Sequence, residues 1–542
     1  MKKISIIVLL ATTLLMTSCK DFLIKEPYGQ FTASMMSDAE IEGLLAAAYA
    51  GLGAHYFENN EAFAGPSTNW IFDVRSDDAL KGGGEVSMEG NIHQLEISNL
   101  TNDNISCLNK WQNNFYAIAR THKAMLAVQE SNVPNKDAYL GELKILRAWY
   151  YFDLIRVFER IPYFTETENP NEVRIDKYSR DEIYGFIKKD LQEAFGVLPA
   201  DSPAPGRFNR FVAAALHAKV SAQVSAWGEV LQWTDVVIGS GKYALYNNFL
   251  DMSKIEFNNK GESIMAVQFS TANNNALINW SNLLNTTYSD GNLFGTGDDF
   301  FLASQNLVDA FITDEYGVPY LDGTSAHVSA SFSGNVDPRL DFTVGRIGFP
   351  FRGNTYTMGW CRAYSLYGEY SGKKGLIDPS SPDMTVGFPW GASGLNFKFI
   401  RYADIILLKA EAIIESGGDL GEARGLINQI REKAKRSIDP AYTPVDLDPS
   451  RANYMVEPYG AEGWDQDKAR KAVRMERRLE LAMEGLRWFD LCRWGNVVEV
   501  MNNYFKSEVN FHSYYGDAMM SQNEMFLPTP KAEVDNSHGL YE

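Results

Sequence analysis

The chain has 542 residues, 45% hydrophobic and 22% charged, with a formal net charge of −19. That composition is ordinary for a globular protein, and the acidity speaks against nucleic acid or an anionic lipid surface as a partner. By length the chain is either about three domains or one large helical domain with long excursions.

Met1-Lys2-Lys3 followed by the apolar run ISIIVLLATTLLMTS predicts a secretory signal peptide over residues 1–18, too short to span a bilayer. It ends in Leu15-Met16-Thr17-Ser18-Cys19, which resembles a bacterial lipobox, with Met16 where leucine is commonest. The rival is a plain secretory signal with an incidental cysteine. Two or three acyl chains on Cys19 would anchor the protein stably, where one chain is marginal. Loss of the leader lysines takes the formal charge from −19 to −21. Residues 19–28 then form a lipidated tether, and no later segment is apolar and long enough to cross a membrane. Cys107, Cys361 and Cys492 remain, with no CxxC pair, so neither a disulfide scaffold nor a zinc site is expected.

A helix is predicted from Asp38 to Leu52. From 55 to 100 helical period fails and the run reads as a loop excursion, with Trp70, Phe72, Asp73, Arg75, Asp77, Asp78 and Lys81 crowded before Gly82-Gly83-Gly84. Helical period returns over 111–130 and 140–160, and Pro162 stops the second helix. Ser179 and Glu182 form a capping box that opens a helix with Ile183, Phe186, Ile187, Leu191 and Leu198 on one face. A Pro/Ala/Gly linker at 199–206 precedes helices at 208–226 and 232–239. Between about 245 and 398 the texture changes. Glu262–Phe269 alternates like a strand, and the rest is dense in Asn, Gly, Ser and aromatics. Long loops on a rigid scaffold are where binding usually sits.

At 402–435 two amphipathic helices flank Gly417-Gly418-Asp419-Leu420, glycines ending the first and Asp419 capping the second. Such an αα-hairpin cannot bury its apolar face alone, and its period and small residues look like a tetratricopeptide-type repeat. The fold class is therefore mainly α: a tetratricopeptide-repeat-type helical superhelix with long irregular loop insertions and a few short strands. Repeat helices are expected at about 111–245 and 400–436, a further loop at 437–467, a C-terminal helix at 468–495 and an irregular tail to Glu542, all in one domain from 29 to 542.

Catalytic motifs are scarce. Glu480, Glu484, Arg487 and Asp490 lie three or four apart, so they share a helix face and can pair. Read as chemistry, Glu480 and Glu484 are an acid and a base. Read as structure, with arginines interleaved, they are a buried ion-pair network, and that reading is preferred. Asp73, Asp77 and Asp78 are the best carboxylate cluster for a glycosidase. No HExxH, GxSxG, GxxxxGK[ST] or GxGxxG occurs, so no catalytic residue, metal or cofactor is assigned. Asp290-Gly291-Asn292 and Asp298-Asp299 offer oxygen ligands for a structural calcium but lack EF-hand spacing.

The aromatics point elsewhere. Trp70, Trp280, Tyr288, Trp360, Tyr364 and Trp390 fall in aperiodic loops beside Asn69, Asp73, Asp77, Asn279 and Arg362. Sugar rings lay their apolar C–H faces on indole or phenol and leave hydroxyls for Asn, Asp and Arg. Each ring taken singly is as readily buried under its own loop. As a set they predict a ligand platform of Trp70, Asp73, Asp77, Asn279, Trp280, Tyr288, Trp360, Arg362 and Trp390.

Together, the lipobox with Cys19-Lys20-Asp21-Phe22-Leu23, LRAWYYFDLIRVFERIPYF (146–164), WTDVVIGSGKYAL (233–245), SQNLVDAFITDEYG (304–317), DPRLDFTVGR (337–346), FKFIRYADIILLKAEA (397–412), RRLELAMEGLRWFDLCRWG (477–495) and FLPTPKAEV (526–534) resemble the SusD/RagB family of outer-membrane nutrient-binding lipoproteins. They run in order along nearly the whole mature chain. The resemblance implies a cell-surface tetratricopeptide-repeat superhelix acting as the lid of a SusC-like TonB-dependent transporter, with variable loops presenting the ligand site. It implies glycan ligands, or peptides in the RagB-like branch, and no enzymatic activity. It points to the 70s loop and 270–390 as the site's region without fixing its residues. A surface glycosidase and a purely structural assembly protein are the remaining rivals.

Overall fold

The computed structural model describes residues 36–53, 65, 70–271, 279–288, 293–294, 297–386, 391–440 and 446–542, the side chains of Trp70 and Trp280 excepted. Most of the stack forms where helical period predicts it. Helix α1 (Asp38–Ala50) is opened by a capping box between Ser37 and Glu40. The 55–100 excursion holds more structure than its lack of period suggests: α2 (Trp70–Val74), strand β1 (Ala79–Gly82) and α3 (Gly90–Glu96). These elements are too short to display a period.

The scaffold follows. Helices α4 (Ile105–Glu130) and α5 (Lys136–Val157) form the first long antiparallel pair. Next come α6 (Arg180–Val197), with the predicted Ser179–Glu182 box, then α7 (Arg210–Gln223) and α8 (Trp227–Gly239). After an excursion carrying β2 (Ser263–Val267), α9 (Trp280–Asn285), β3 (Phe300–Ala303), α10 (Gln305–Ala310) and β4 (Phe397–Arg401), the chain re-enters the stack. Re-entry is through α11 (Tyr402–Glu415) and α12 (Leu420–Arg436), the predicted hairpin. Gly417 takes φ +69°, and Asp419 accepts the Gly421 amide at 2.7 Å. Successive helices pack in order from α4 to α8, α8 lies directly on α11, and α12 and α13 (Gln466–Leu481) complete the array. This is a tetratricopeptide-type superhelix with one long insertion. Ala213, Ala214, Ala215, Ala218 and Ala222 of α7 and Ala403, Ala410 and Ala412 of α11 are all buried, which lets helix axes approach closely. One apolar core runs continuously from Ile41 to Leu527.

Two expectations are corrected. The C-terminal helix is not continuous over 468–495. It breaks after Leu481, with Met483 and Gly485 in the left-handed region (φ +61° and +76°), and resumes as α14 (Arg487–Trp494). The tail is not irregular throughout, since α15 (Val497–Glu508) buries Val497, Met501, Tyr504 and Phe505. Among the described residues all three cysteines are free thiols, and burial raises each to about 12.

The interior is crossed by charge. Arg339 binds Asp337 at 2.7 and 2.9 Å, Glu476 at 2.6 Å and Glu480 at 3.4 Å. Arg401 reaches Glu262 at 2.6 Å, Glu480 at 3.0 Å and Glu484 at 2.7 Å, and Lys433 sits 2.6 Å from Glu480. Burial alone would raise Glu480, but Lys433, Arg401 and Arg339 overcome it and hold the carboxyl at about 2. The basic partners favour the ionised form of both Glu480 and Glu484, which pin insertion to stack as an ion-pair network rather than standing as an acid and a base. Their partners lie far away in sequence rather than one helical turn away, because the helix breaks between them. Desolvation offsets most of the attraction in such a network, so it fixes geometry more than it adds stability.

Candidate ligand platform

Strands β1 and β3 form a two-stranded antiparallel ribbon, Ala79 opposite Ala303 and Gly82 opposite Phe300. Glycine is required where β1 ends. Gly82 (φ +77°) has no room for a side chain, since a Cβ would lie 2.4 Å from the Asp299 carbonyl, and the Gly83 amide donates to that same oxygen at 2.7 Å. Beside this end lies a small satellite core of Phe294, Phe351, Tyr356 and Leu376. Trp360 packs on it edge-on, its ring nearly perpendicular to Phe351 and Tyr356 at 5.7 and 5.6 Å.

From this base the surface is built. Arg362 donates its backbone N–H to Asp299 at 2.8 Å, pairs through its guanidinium with Asp298, and holds that guanidinium 5.3 Å from the centre of the Tyr288 ring. It also lies against Gly84. A cation over a phenol face orients the ring while leaving its other face free. Tyr288 is exposed at 40%, as are Met358 and Tyr364, which flank Arg362 in the chain, at 55% and 43%. Asp299 itself is buried, and burial lifts its carboxyl to about 7 against the opposing pull of Arg362. One of its oxygens has no hydrogen-bond partner among the described residues.

The structure brings together Tyr288, Trp360 and Arg362 of the predicted set. It takes others away. Asp73 is fully buried, one oxygen accepting the Gly485 amide at 2.5 Å, and burial with the nearby Asp78 pushes its carboxyl well up. Asp77 is buried too, clasped by Arg487 at 2.8 and 2.9 Å and by Arg478 at 3.1 Å. Burial opposes ionisation of Asp77, but the two arginines win and hold it well below the usual carboxylate range. Neither aspartate faces solvent, so they are corrected from ligand contacts, or a glycosidase pair, to anchors of α13 and α14. Asn279 is likewise internal, capping α9 through the Asn282 amide and donating to the Ser393 carbonyl at 2.9 Å. The side chains of Trp70 and Trp280, and the whole of Trp390, lie outside the described residues.

Met358 and Asp298 escaped the sequence reading. Methionine carries no polar signature, and Asp298 beside Asp299 reads from sequence only as an oxygen ligand for a cation. Among the described residues no cluster of three or more His, Cys, Asp or Glu is arranged to hold a metal ion. Asp298 and Asp299 turn toward Arg362, and Asp290-Gly291-Asn292 lie outside the described residues.

The family model of the SusD family matches residues 261–542, and a second, described as "Starch-binding associating with outer membrane", matches residues 21–221. The chain belongs to the SusD family. SusD-like protein P38 of Formosa agariphila is 26% identical over 523 residues, covering 92% of this chain and 93% of that protein. A SusD-like carbohydrate binding protein of Bacteroides fragilis superposes with a TM-score of 0.74 at 20% identity, covering 92% and 98% of the two chains. Surface glycan-binding protein A of Bacteroides thetaiotaomicron, solved in complex with laminarihexaose, gives 0.70 at 18% identity over 94% and 99%. At these identities the structural likeness carries the fold, and the residues of the platform are this chain's own.

Proposed function

We propose that this SusD-family chain is a cell-surface binding lipoprotein that captures oligosaccharide on the Tyr288–Arg362 platform and delivers it to a TonB-dependent outer-membrane transporter. The observation that carries the reading is the Tyr288 ring, exposed yet held by the Arg362 guanidinium, with exposed Tyr364 and the supported Trp360 each two residues from Arg362 in the chain. A ring fixed in this way loses little conformational freedom when a pyranose lies on it. Arg362 and Asp298 supply the hydrogen-bonding partners that hydroxyls need. The carbohydrate binding protein of Bacteroides fragilis and the laminarihexaose complex of the Bacteroides thetaiotaomicron protein, both similar in fold, agree with this choice. The leader and Cys19 supply the anchor, and the second family description agrees with an outer-membrane location. The proposed role is binding without hydrolysis or a cofactor. Trp70, Trp280 and Trp390 are further proposed contacts.

Calorimetric titration of the soluble chain begun after Cys19, against a panel of polysaccharides and mixed peptides, tests the reading. Expected is glycan binding that produces no reducing ends and is weakened by Tyr288→Ala. Binding to peptides alone, or appearance of cleaved product, would replace it.

A further inference from the structure

At the other end of the β1–β3 ribbon lies a separate cavity of about 160 Å³. It is lined by α10, which follows β3 directly, by the 320–327 turn, and by parts of α13 and α15. Two exposed rings stand at it, Tyr320 at 43% and Phe511 at 42%. The polar walls are ordered before any ligand arrives. Asp309 accepts from Gln305 at 2.8 Å and from the Val328 amide at 2.8 Å, and lies 2.6 Å from His327 Nδ1. His327 in turn meets the Phe511 ring edge-on at 5.2 Å. The Asn306 amide oxygen accepts a hydrogen bond from Arg478 at 2.8 Å, which fixes the side chain.

We infer that this cavity is a second saccharide site that takes one pyranose residue. The rings of Tyr320 and Phe511 offer C–H stacking faces, and Asn306, His327 and Thr324 offer hydrogen-bonding groups at the same small space. The volume sits well below the roughly 300–1,000 Å³ of pockets for drug-sized ligands, so one ring fits and a chain does not. A small cation fits poorly: the Asp309 oxygens are already engaged by Gln305, His327 and the Val328 amide, and the Arg478 guanidinium lines the same wall. The site is distinct from the platform, because Arg362 bonds to Asp299 just before β3 begins and Asn306 and Asp309 follow where β3 ends. The choice of a sugar over another small polyol rests on the glycan reading above; the cavity does not.

Two methionines make the test local. Met475 lines this cavity and Met358 stands on the platform. The full soluble chain, labelled at methionine methyl carbons, is titrated with glucose, galactose, mannose, xylose and N-acetylglucosamine, the two signals being assigned with Met475→Leu and Met358→Leu. The inference expects at least one monosaccharide to shift Met475 saturably at millimolar concentration. It also expects Tyr320→Ala and Phe511→Ala, both at exposed positions, each to weaken that response at least tenfold with Met358 unaffected. No sugar moving Met475 up to 50 mM, or a shift that survives both substitutions, would overturn it. A platform that binds no glycan would show instead at Met358, so the two readings fail separately.

Discussion

Asp77 and Arg487, 410 residues apart in the chain, meet in a two-pronged ion pair with Nε–Oδ1 at 2.8 Å and Nη2–Oδ2 at 2.9 Å. The pair locks the segment before β1 onto α14, and both side chains are largely removed from water. Asp77→Ala would leave Arg487 charged and under-partnered in the interior, and the expected loss is about 3–5 kcal/mol of stability. Denaturant unfolding checks this. Glycan affinity of the folded fraction, measured well below the melting temperature, should match the parent protein. The pH sense follows from the depressed Asp77 pKa. Its contribution is present above the unfolded value near 4 and fades as pH falls below it.

On the platform, Tyr288→Ala removes a ring that supports little else, so affinity should fall with melting temperature nearly unchanged. A stacking contact of about 1–2 kcal/mol corresponds to roughly 5–30-fold in Kd. Trp360→Ala should lower both affinity and melting temperature, because Trp360 also covers the Phe351–Tyr356 cluster. Arg362→Lys keeps the charge but loses the planar group over Tyr288, and should behave closer to Arg362→Ala than to the parent. Titration calorimetry beside differential scanning separates the three.

Glu508 makes stability fall on the alkaline side. Burial, with the neighbouring Asp309 carboxylate, raises it to about 8, while the Gln305 and Asn306 amides and Arg478 pull the other way. His512 also lies nearby, 3.6 Å from Glu508. A carboxyl that binds its proton more tightly when folded adds stability fully present below its unfolded value near 4.3, lost as pH climbs through 8. Glu508→Gln keeps an acceptor for the Gln305 amide without the ionisation. Unfolding at pH 9 should then show the variant more stable by about 2 kcal/mol, with the gap closing near pH 4.

Chelation should change nothing on the platform. Arg362 engages both Asp298 and Asp299 there, and EDTA is expected to leave glycan affinity within error. A loss restored by calcium would show that the loop needs a cation.

The stack was legible because its evidence is local. The 3.6-residue period, the Ser179–Glu182 box and the Gly417–Asp419 turn each declare themselves within a few residues. The break at Met483–Gly485 was not legible, since Glu476 to Trp494 keeps a helical texture and only the demand of Asp73 for the Gly485 amide marks the bend. The platform was half legible. Tyr288, Trp360 and Arg362 stood out as aromatics and a cation in polar loops. Asp73, Asp77 and Asn279 carry the same local texture, and what separates them is burial by partners hundreds of residues away. A single sequence does not display such pairings.

The insertion between α8 and α11 leaves and re-enters the stack at helices that touch one another. Its two ends are therefore neighbours, and the array would close without a gap if the segment were exchanged for another. Such a graft must reproduce the β2–β4 pairing at its ends, the pairing of β3 with β1, and the buried Glu262 and Arg339, which reach Arg401, Glu476 and Glu480 across the seam. The superhelix thus works as a chassis with a plug of several pins. Exchanging the insertion while keeping the stack means carrying β1, the strand it pairs with, along with it.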